Sequence, residues 1–222
     1  TGFYNTTGGY NTFLGYQAGL NNNTSYNSFI GYQAGKANTT GQFNSFIGYN
    51  AGLSNTTGAT NVFIGNESGR TNTIGTSNVF LGNLTGYTNN ANNNVFIGNE
   101  SGRYNTTGAD NAFMGYFAGR ANTTGYSNVF IGKSSGASNT TGYSNLFIGD
   151  ESGFSTTSGF SNLFLGENSG YSNQNGEHNV FIGRFAGYSG TALKNNIFIG
   201  DSAGYLSNAT FATNNVFIGY AA

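Results

Sequence analysis

One motif recurs along the whole sequence and constrains the fold more than any other feature. Phe recurs thirteen times at intervals of 16 to 19 residues, most often 17. Each of these Phe residues has Asn two places before it, Ile, Leu or Met directly after it and Gly two places after it, as in Asn61-Val62-Phe63-Ile64-Gly65. The consensus unit reads N-x-F-[IL]-G-x-x-[AST]-G-x-x-N-T-T-G-x-x. Such recurrence is typical of repeat proteins, in which each unit packs only on its neighbours.

The residues of the unit predict a β-coil. A period of 17 residues is too short for a helical hairpin and unrelated to a heptad. Two fixed Gly residues per unit oppose a helix, where each would cost roughly 1 kcal/mol. β-Branched and aromatic residues surround Phe, while Asn, Gly and Thr cluster where the chain must turn. We therefore predict an all-β parallel β-solenoid with a strand at x-F-[IL], a corner at Gly and a second arc through N-T-T-G.

The whole chain, 1–222, is predicted to be one tandem-repeat domain of thirteen coils, cut as a window from a longer array. The longest connection is expected across 205–214. Stacking places equal positions of successive coils in columns ~4.8 Å apart. An Asn column with an amide ladder is predicted at Asn11, Asn27, Asn44, Asn61, Asn78, Asn94, Asn111, Asn128, Asn145, Asn162, Asn179, Asn196 and Asn215. A Phe column is predicted at Phe13, Phe29, Phe46, Phe63, Phe80, Phe96, Phe113, Phe130, Phe147, Phe164, Phe181, Phe198 and Phe217.

Composition narrows the classes of function. The 20 Phe and 15 Tyr residues with only 7% charged residues argue against disorder. A net charge of -1 gives no electrostatic footprint for nucleic acid or an anionic membrane. Cys is absent, and no apolar run approaches the ~20 residues needed to span a bilayer. We expect an exported, extracellular or cell-surface protein whose export signal or anchor lies outside this segment.

The apolar triplet around Phe carries a prediction about assembly. In a strand, Val62 and Ile64 point to one face and Phe63 to the other. Only one face can point into a narrow coil, so the other is expected to contact a further copy of the chain. The alternative is a wide single-chain solenoid with an exposed aliphatic stripe or a covering loop. In the first coils the residue before Phe is Thr12, Ser28 or Ser45.

The unit resembles the repeats of trimeric autotransporter adhesin heads and stalks and of phage or bacterial tail-fibre-like proteins. The segments Asn11-Thr12-Phe13-Leu14-Gly15-Tyr16-Gln17-Ala18 and Asn38-Thr39-Thr40-Gly41 carry this likeness, which extends over the whole chain. The resemblance implies parallel left-handed β-rolls, three chains around a common axis, and a fibre that reaches from a cell or virion to a target. On this basis the favoured function is a structural or adhesive shaft segment of an extracellular bacterial or phage fibre.

Catalytic and cofactor motifs are weak. His178 is the only histidine, no phosphate-binding loop or acidic Ca²⁺-binding nonapeptide occurs, and no metal or cofactor is expected. Asp150 and Glu167 occupy one column in adjacent coils, as the carboxylates of a retaining, tailspike-like polysaccharide-degrading enzyme would. The same column also contains Lys133 and Arg184, and it reads better as a surface ion ladder.

Two further surfaces suggest binding. Paired Thr columns, as at Thr56-Thr57, would suit an ice-binding solenoid, although interruptions break them. A ridge follows the second Gly of each unit, where exposed Arg and aromatic side chains would bind cell-surface glycans or proteins. The alternative is that these side chains stack as structural cover. The ridge residues are Arg70, Tyr87, Arg103, Arg120, Phe154, Tyr171, Tyr188 and Tyr205.

Overall fold

The computed structural model describes residues 1–206 and 213–222, and its regular elements are short β-strands with Phe in the middle. Of the longest predicted connection, residues 207–212 lie outside the described residues. The strands are β1 Thr12–Leu14, β2 Ser28–Ile30, β3 Ser45–Ile47, β4 Val62–Ile64, β5 Val79–Leu81, β6 Val95–Ile97, β7 Ala112–Met114, β8 Val129–Ile131, β9 Leu146–Ile148, β10 Leu163–Leu165, β11 Val180–Ile182, β12 Ile197–Ile199 and β13 Val216–Ile218.

The chain divides into two compact units, Thr1–Asp110 with β1 to β6 and Asn111–Ala222 with β7 to β13. Within each unit, every strand pairs in parallel and in register with the strands one coil away, so that Phe lies opposite Phe. No helix occurs among the described residues. The predicted all-β parallel β-solenoid with coils of about 17 residues is therefore confirmed. The left-handed coil and the single-domain organisation stay predictions.

The Phe column forms the apolar half of the core. Its side chains point inward and are fully buried in β2 to β12, whereas Phe13 and Phe217 are half-buried. Within each unit the rings stack on those of adjacent coils; Phe63 and Phe80 have centroids 4.8 Å apart and an interplanar angle of 5°. Because each ring covers the next, stacking removes from water the large apolar surface that one coil could not bury alone.

Two Gly positions per coil are fixed by close contact. A Cβ on Gly65 would lie 2.2 Å from the carbonyl oxygen of Gly82 in the next coil. A Cβ on Gly69 would lie 2.6 Å from the ring of Phe63, and Gly69 also has φ +57. The first Gly therefore permits close stacking of the backbones of adjacent coils. The second Gly adopts a left-handed turn and leaves room for the buried Phe ring.

Each coil also turns at two residues that are not Gly. Glu67 (φ 53) lies between the two Gly residues of its coil, and Ser77 (φ 57) immediately precedes the Asn of the next coil. Equivalent residues recur through both units with φ near 55 and include Phe117 and His178. Left-handed backbone is unfavourable for such side chains, so the stacked neighbours must hold these corners in place.

Candidate functional site

The predicted Asn column lies inside the coils and forms hydrogen bonds along each unit. Asn61 is fully buried. Its Nδ2 donates to Asn44 Oδ1 at 3.2 Å, while its own Oδ1 accepts the backbone N–H and the Nδ2 of Asn78 at 3.0 and 3.1 Å. The same pattern runs from Asn128 to Asn145 and Asn162 in the second unit. Each amide therefore joins its coil to the coils on both sides.

The same Asn also closes its own coil. Asn61 Nδ2 donates to the carbonyl oxygen of Gly75 at 2.8 Å, fourteen residues along the chain. Asn44 and Asn128 make the equivalent bonds to Gly58 and Gly142. One side chain thus satisfies a buried carbonyl within the coil and links adjacent coils, which explains why Asn precedes every one of the thirteen strands.

A second buried Asn column was missed from the sequence. It consists of the Asn that begins N-T-T-G, for which the sequence alone predicts a turn. Asn55 Nδ2 donates to Asn38 Oδ1 at 2.7 Å and to Gly58 O at 3.0 Å, and Asn139 repeats the arrangement with Asn122. The sequence signal is a spacing of eleven residues between the two Asn of a coil, as from Asn44 to Asn55, which Thr156 and Gly190 interrupt in the second unit.

The aliphatic residues that flank Phe in the strands point outward. We call the outward side chains of the strands the aliphatic stripe. In β4 to β13 both flanking residues are apolar, and none of them is charged. The exposed fractions of Ile64 and Ile131 are 38% and 36%, and Val129 is half-buried. In β1 to β3 the first flanking residue is Thr12, Ser28 or Ser45, so the stripe there is narrower.

In the first unit, the Arg side chains of the predicted binding ridge contact nearby side chains of the same chain. The Arg70 guanidinium lies 5.5 Å from the ring centroid of Tyr87 and contacts its hydroxyl. Arg103 forms an ion pair with Glu100 at 2.9 Å, and this bond raises the pKa of the Arg103 guanidinium above its usual value. Both Arg side chains are largely covered. These contacts favour the alternative that the ridge side chains act as structural cover.

In the second unit, Arg120 lies 4.7 Å from the ring centroid of Phe117. The ridge aromatics beyond it stack on one another, with centroids 5.0–5.2 Å apart. Because ring faces in such a stack cover each other, the inner rings present only edges and hydroxyls to solvent, and a sugar ring cannot lie flat on them. The stacked ridge residues are Phe154, Tyr171, Tyr188 and Tyr205.

The Thr columns are largely engaged with the backbone. Thr56 Oγ1 donates to the carbonyl oxygen of Thr73 at 3.0 Å, and Thr123 does the same to Thr140 at 2.9 Å. The second Thr of each pair, such as Thr57, is exposed. In the next coil Ile74 replaces it. Among the described Thr pairs, the hydroxyls free to face solvent are therefore those of the second Thr, and this column of hydroxyls is interrupted.

The carboxylates of the proposed enzyme alternative lie in the open. Asp150 and Glu167 are both exposed, and Asp150 pairs with Lys133 at 3.7 Å. In the same column Arg184 pairs with Asp201 at 3.0 Å. A hydrogen bond from the Ser202 hydroxyl, together with this Arg184 pair, lowers the pKa of the Asp201 carboxyl. In the part of the chain that the structure describes, these two exposed acids are not enclosed by the walls of a cleft that could hold a glycan. The column has the character of a surface ion ladder.

His178 lies at the rim of a shallow groove in the second unit. The residues that line this groove include Ser144, Leu146, Ser161 and Leu163. The imidazole packs edge-on against Phe160, with centroids 5.2 Å apart. Within 1–206 and 213–222, no three or more His, Cys, Asp or Glu side chains are grouped as metal ligands would be.

Fold and surfaces together define a repetitive parallel β-solenoid with a polar ladder and an aromatic ladder inside every coil. No protein-family model, curated protein or solved structure matches this chain. In the described ranges, no helix has the length and apolarity needed to cross a bilayer.

Proposed function

We propose that this chain is a shaft segment of an extracellular bacterial or phage fibre used for attachment to cells or surfaces. The supporting observation is the repeated buried joint. Coil after coil is tied to its neighbour by the Asn61-type amide bonds, the Phe63-type ring stack and the backbone pairing of the strands. A joint that recurs at every coil transmits load without needing any special site.

The outer surface supports a spacer role. Specific recognition requires a concave pocket with convergent polar groups, and such pockets are few per protein. Within each unit the Asn and Phe ladders, the turns and the aliphatic stripe repeat from coil to coil, and the groove lined by His178 is shallow. Recognition of target-cell glycans or proteins is therefore assigned mainly to other parts of the full-length protein.

The spacer role is tested by deleting whole 17-residue units from the gene. Fibre length is measured by electron microscopy and target binding is measured per fibre. A spacer predicts shorter fibres with unchanged binding per fibre. A loss of binding in proportion to the units removed would instead show that the repeats adhere by multivalent weak contacts.

We propose that the aliphatic stripe contacts further copies of this chain, and the resemblance to trimeric fibres favours three chains. The supporting observation is that each unit carries a run of part-exposed aliphatic side chains in adjacent strands, as at Ile64 in the first unit and Ile131 in the second, with no charged residue among them. Covering such a stripe with a second copy removes apolar surface from water.

Substitution of Val129 and Ile131 by Asp tests this interface, because unpaired carboxylates at a buried contact are costly. We expect the double variant to lower the molar mass measured by light scattering. The matched control places Asp at the exposed turn residues Thr124 and Thr141, adding the same charge away from the stripe. A monomeric unaltered chain at micromolar concentration would refute the interface.

Ice binding is the alternative with a direct assay. The engagement of Thr56 Oγ1 with the carbonyl of Thr73 disfavours it, because that hydroxyl donates to protein and not to an ice lattice. We expect no thermal hysteresis from the soluble chain. A clear thermal hysteresis that is lost in Thr57→Val would replace the fibre proposal with an ice-binding one.

A further inference from the structure

Tyrosine side chains form exposed ladders on the outer surface that the sequence interpretation did not identify. In the first unit, Tyr16, Tyr32 and Tyr49 stack in adjacent coils, with ring centroids 5.3 Å apart for both steps and interplanar angles of 18° and 11°. We call this set the Tyr32 ladder. Its members expose 62%, 44% and 51% of their surface, so the phenol groups are open to solvent.

The same arrangement recurs elsewhere. Tyr10 and Tyr26 stack at 5.2 Å with an angle of 2° in the first unit, and Tyr126 and Tyr143 stack at 5.0 Å in the second. Since the stacked backbone fixes each pair in register, the two rings are held side by side before any reaction. This arrangement places neighbouring exposed phenols where they can react with each other.

We propose that the Tyr32 ladder is a modification site at which a one-electron oxidant, such as a haem peroxidase using hydrogen peroxide, couples adjacent tyrosines into dityrosine. Each phenol loses one electron and its proton to give a phenoxyl radical. Two radicals then join through a carbon–carbon bond between the ring carbons next to the hydroxyls. The hydrogen on each joined carbon moves to the phenolic oxygen, which restores both aromatic rings. Overall, two tyrosines and one hydrogen peroxide give one dityrosine and two waters.

The consequence is a covalent bond between consecutive coils. A link from Tyr32 to Tyr49 closes a loop of one coil on the outer surface, two residues beyond the ends of β2 and β3. Closing a loop restricts the unfolded chain, as a disulfide does, and this chain has no Cys to form one. The inference does not depend on the proposed fibre function.

The experiment treats the folded chain with a haem peroxidase and hydrogen peroxide. Dityrosine fluorescence and mass spectrometry of digested peptides are the measurements. We expect cross-linked peptides that join Tyr16 to Tyr32 or Tyr32 to Tyr49. Tyr32→Phe keeps an aromatic ring in the stack and is expected to abolish both cross-links, since Tyr16 and Tyr49 are then two coils apart. Circular dichroism verifies that this variant remains folded.

The matched control is Tyr104→Phe. Tyr104 is exposed, but the same coil position is Thr88 in the preceding coil and Ala121 in the following one. This variant is expected to leave the Tyr32 cross-links unchanged. The same reaction in concentrated urea should lose the preference for adjacent coils, because the register is then gone.

Two patterns of cross-linking would overturn the inference. One is a set of cross-links distributed over the exposed tyrosines in proportion to exposure, with Tyr104 reacting as often as Tyr32. The other is coupling only between chains, which a mixture of ¹⁴N- and ¹⁵N-labelled protein reveals as hybrid peptides. Oxidation that yields no dityrosine in the folded chain would count equally against the proposal.

Discussion

Replacing Asn61 with Ala tests whether the buried amide ladder holds the coils together. The change removes four hydrogen bonds: from Asn61 Nδ2 to Asn44 and Gly75, and from the backbone and side chain of Asn78 to Asn61 Oδ1. The buried N–H of Asn78 is left without its acceptor, which costs about 1–3 kcal/mol. With the remaining bonds at about 0.5–1.5 kcal/mol each, and some return from no longer desolvating the amide, we expect a net loss of about 3–5 kcal/mol.

The matched control is Asn83→Ala in the same unit. Asn83 belongs to an outer ladder, accepting from Asn66 and donating to Asn99 at 2.8 Å each. These bonds are shorter than those that join Asn61 to Asn44 and Asn78. If bond length decided stability, the control would be the worse variant. Asn83 is exposed, however, so water replaces both lost partners, and we expect a loss of about 0.5 kcal/mol or less.

Urea unfolding followed by circular dichroism measures the difference, and hydrogen exchange at the Asn78 amide reports on the joint itself. We expect that amide to exchange much faster in the Asn61 variant and to be unaffected in the Asn83 variant. Equal losses of stability for the two variants, within about 1 kcal/mol, would refute the reasoning that burial gives the inner ladder its strength.

Three further predictions concern single positions. Gly69→Ala should cost about 2–4 kcal/mol in thermal or urea unfolding, because its methyl group would meet the Phe63 ring and φ is +57; an unchanged midpoint would contradict that packing. Ser77→Gly should instead raise stability by up to about 1 kcal/mol, since φ is already 57 there. The pKa of Tyr171 is raised by burial and by Glu151. Its contribution to stability is therefore present below the ordinary tyrosine pKa and falls as pH rises through the higher folded-state value. Urea unfolding at a series of alkaline pH values, compared with Tyr171→Phe, which lacks the titrating hydroxyl, checks this.

The strand, the Phe column and the first Asn column could be predicted because each recurs with a single residue type. Phe63 and Asn61 have no substitutes in equivalent coils, so period and chemistry together identify them. Glu67 and Ser77 could not be recognised as left-handed corners in the same way. Their equivalents vary in type, because the conformation is imposed by stacking and not by the residue's own preference.

The second Asn column and the tyrosine ladders were missed for different reasons. Asn55 belongs to N-T-T-G, where the preference of Asn for turns already explains its presence. The sequence therefore offers no reason to expect that Asn55 is buried. The Tyr32 ladder spans only part of the chain, since equivalent positions become Asn66 and later Lys133. A column whose residue type changes from coil to coil gives no periodic sequence signal, although its tyrosines in adjacent coils still stack.

The amide ladders give the stack a direction. Asn61 Nδ2 donates back to Asn44, and Asn55 Nδ2 donates back to Asn38, so both files of amides point toward the lower-numbered coil. The two ends of such a file differ, because one exposes acceptor oxygens and the other exposes N–H donors. A further coil, whether from the same chain or supplied in trans, can continue the files only head to tail. Head-to-head docking would set like groups against each other, so polarity is built into every coil.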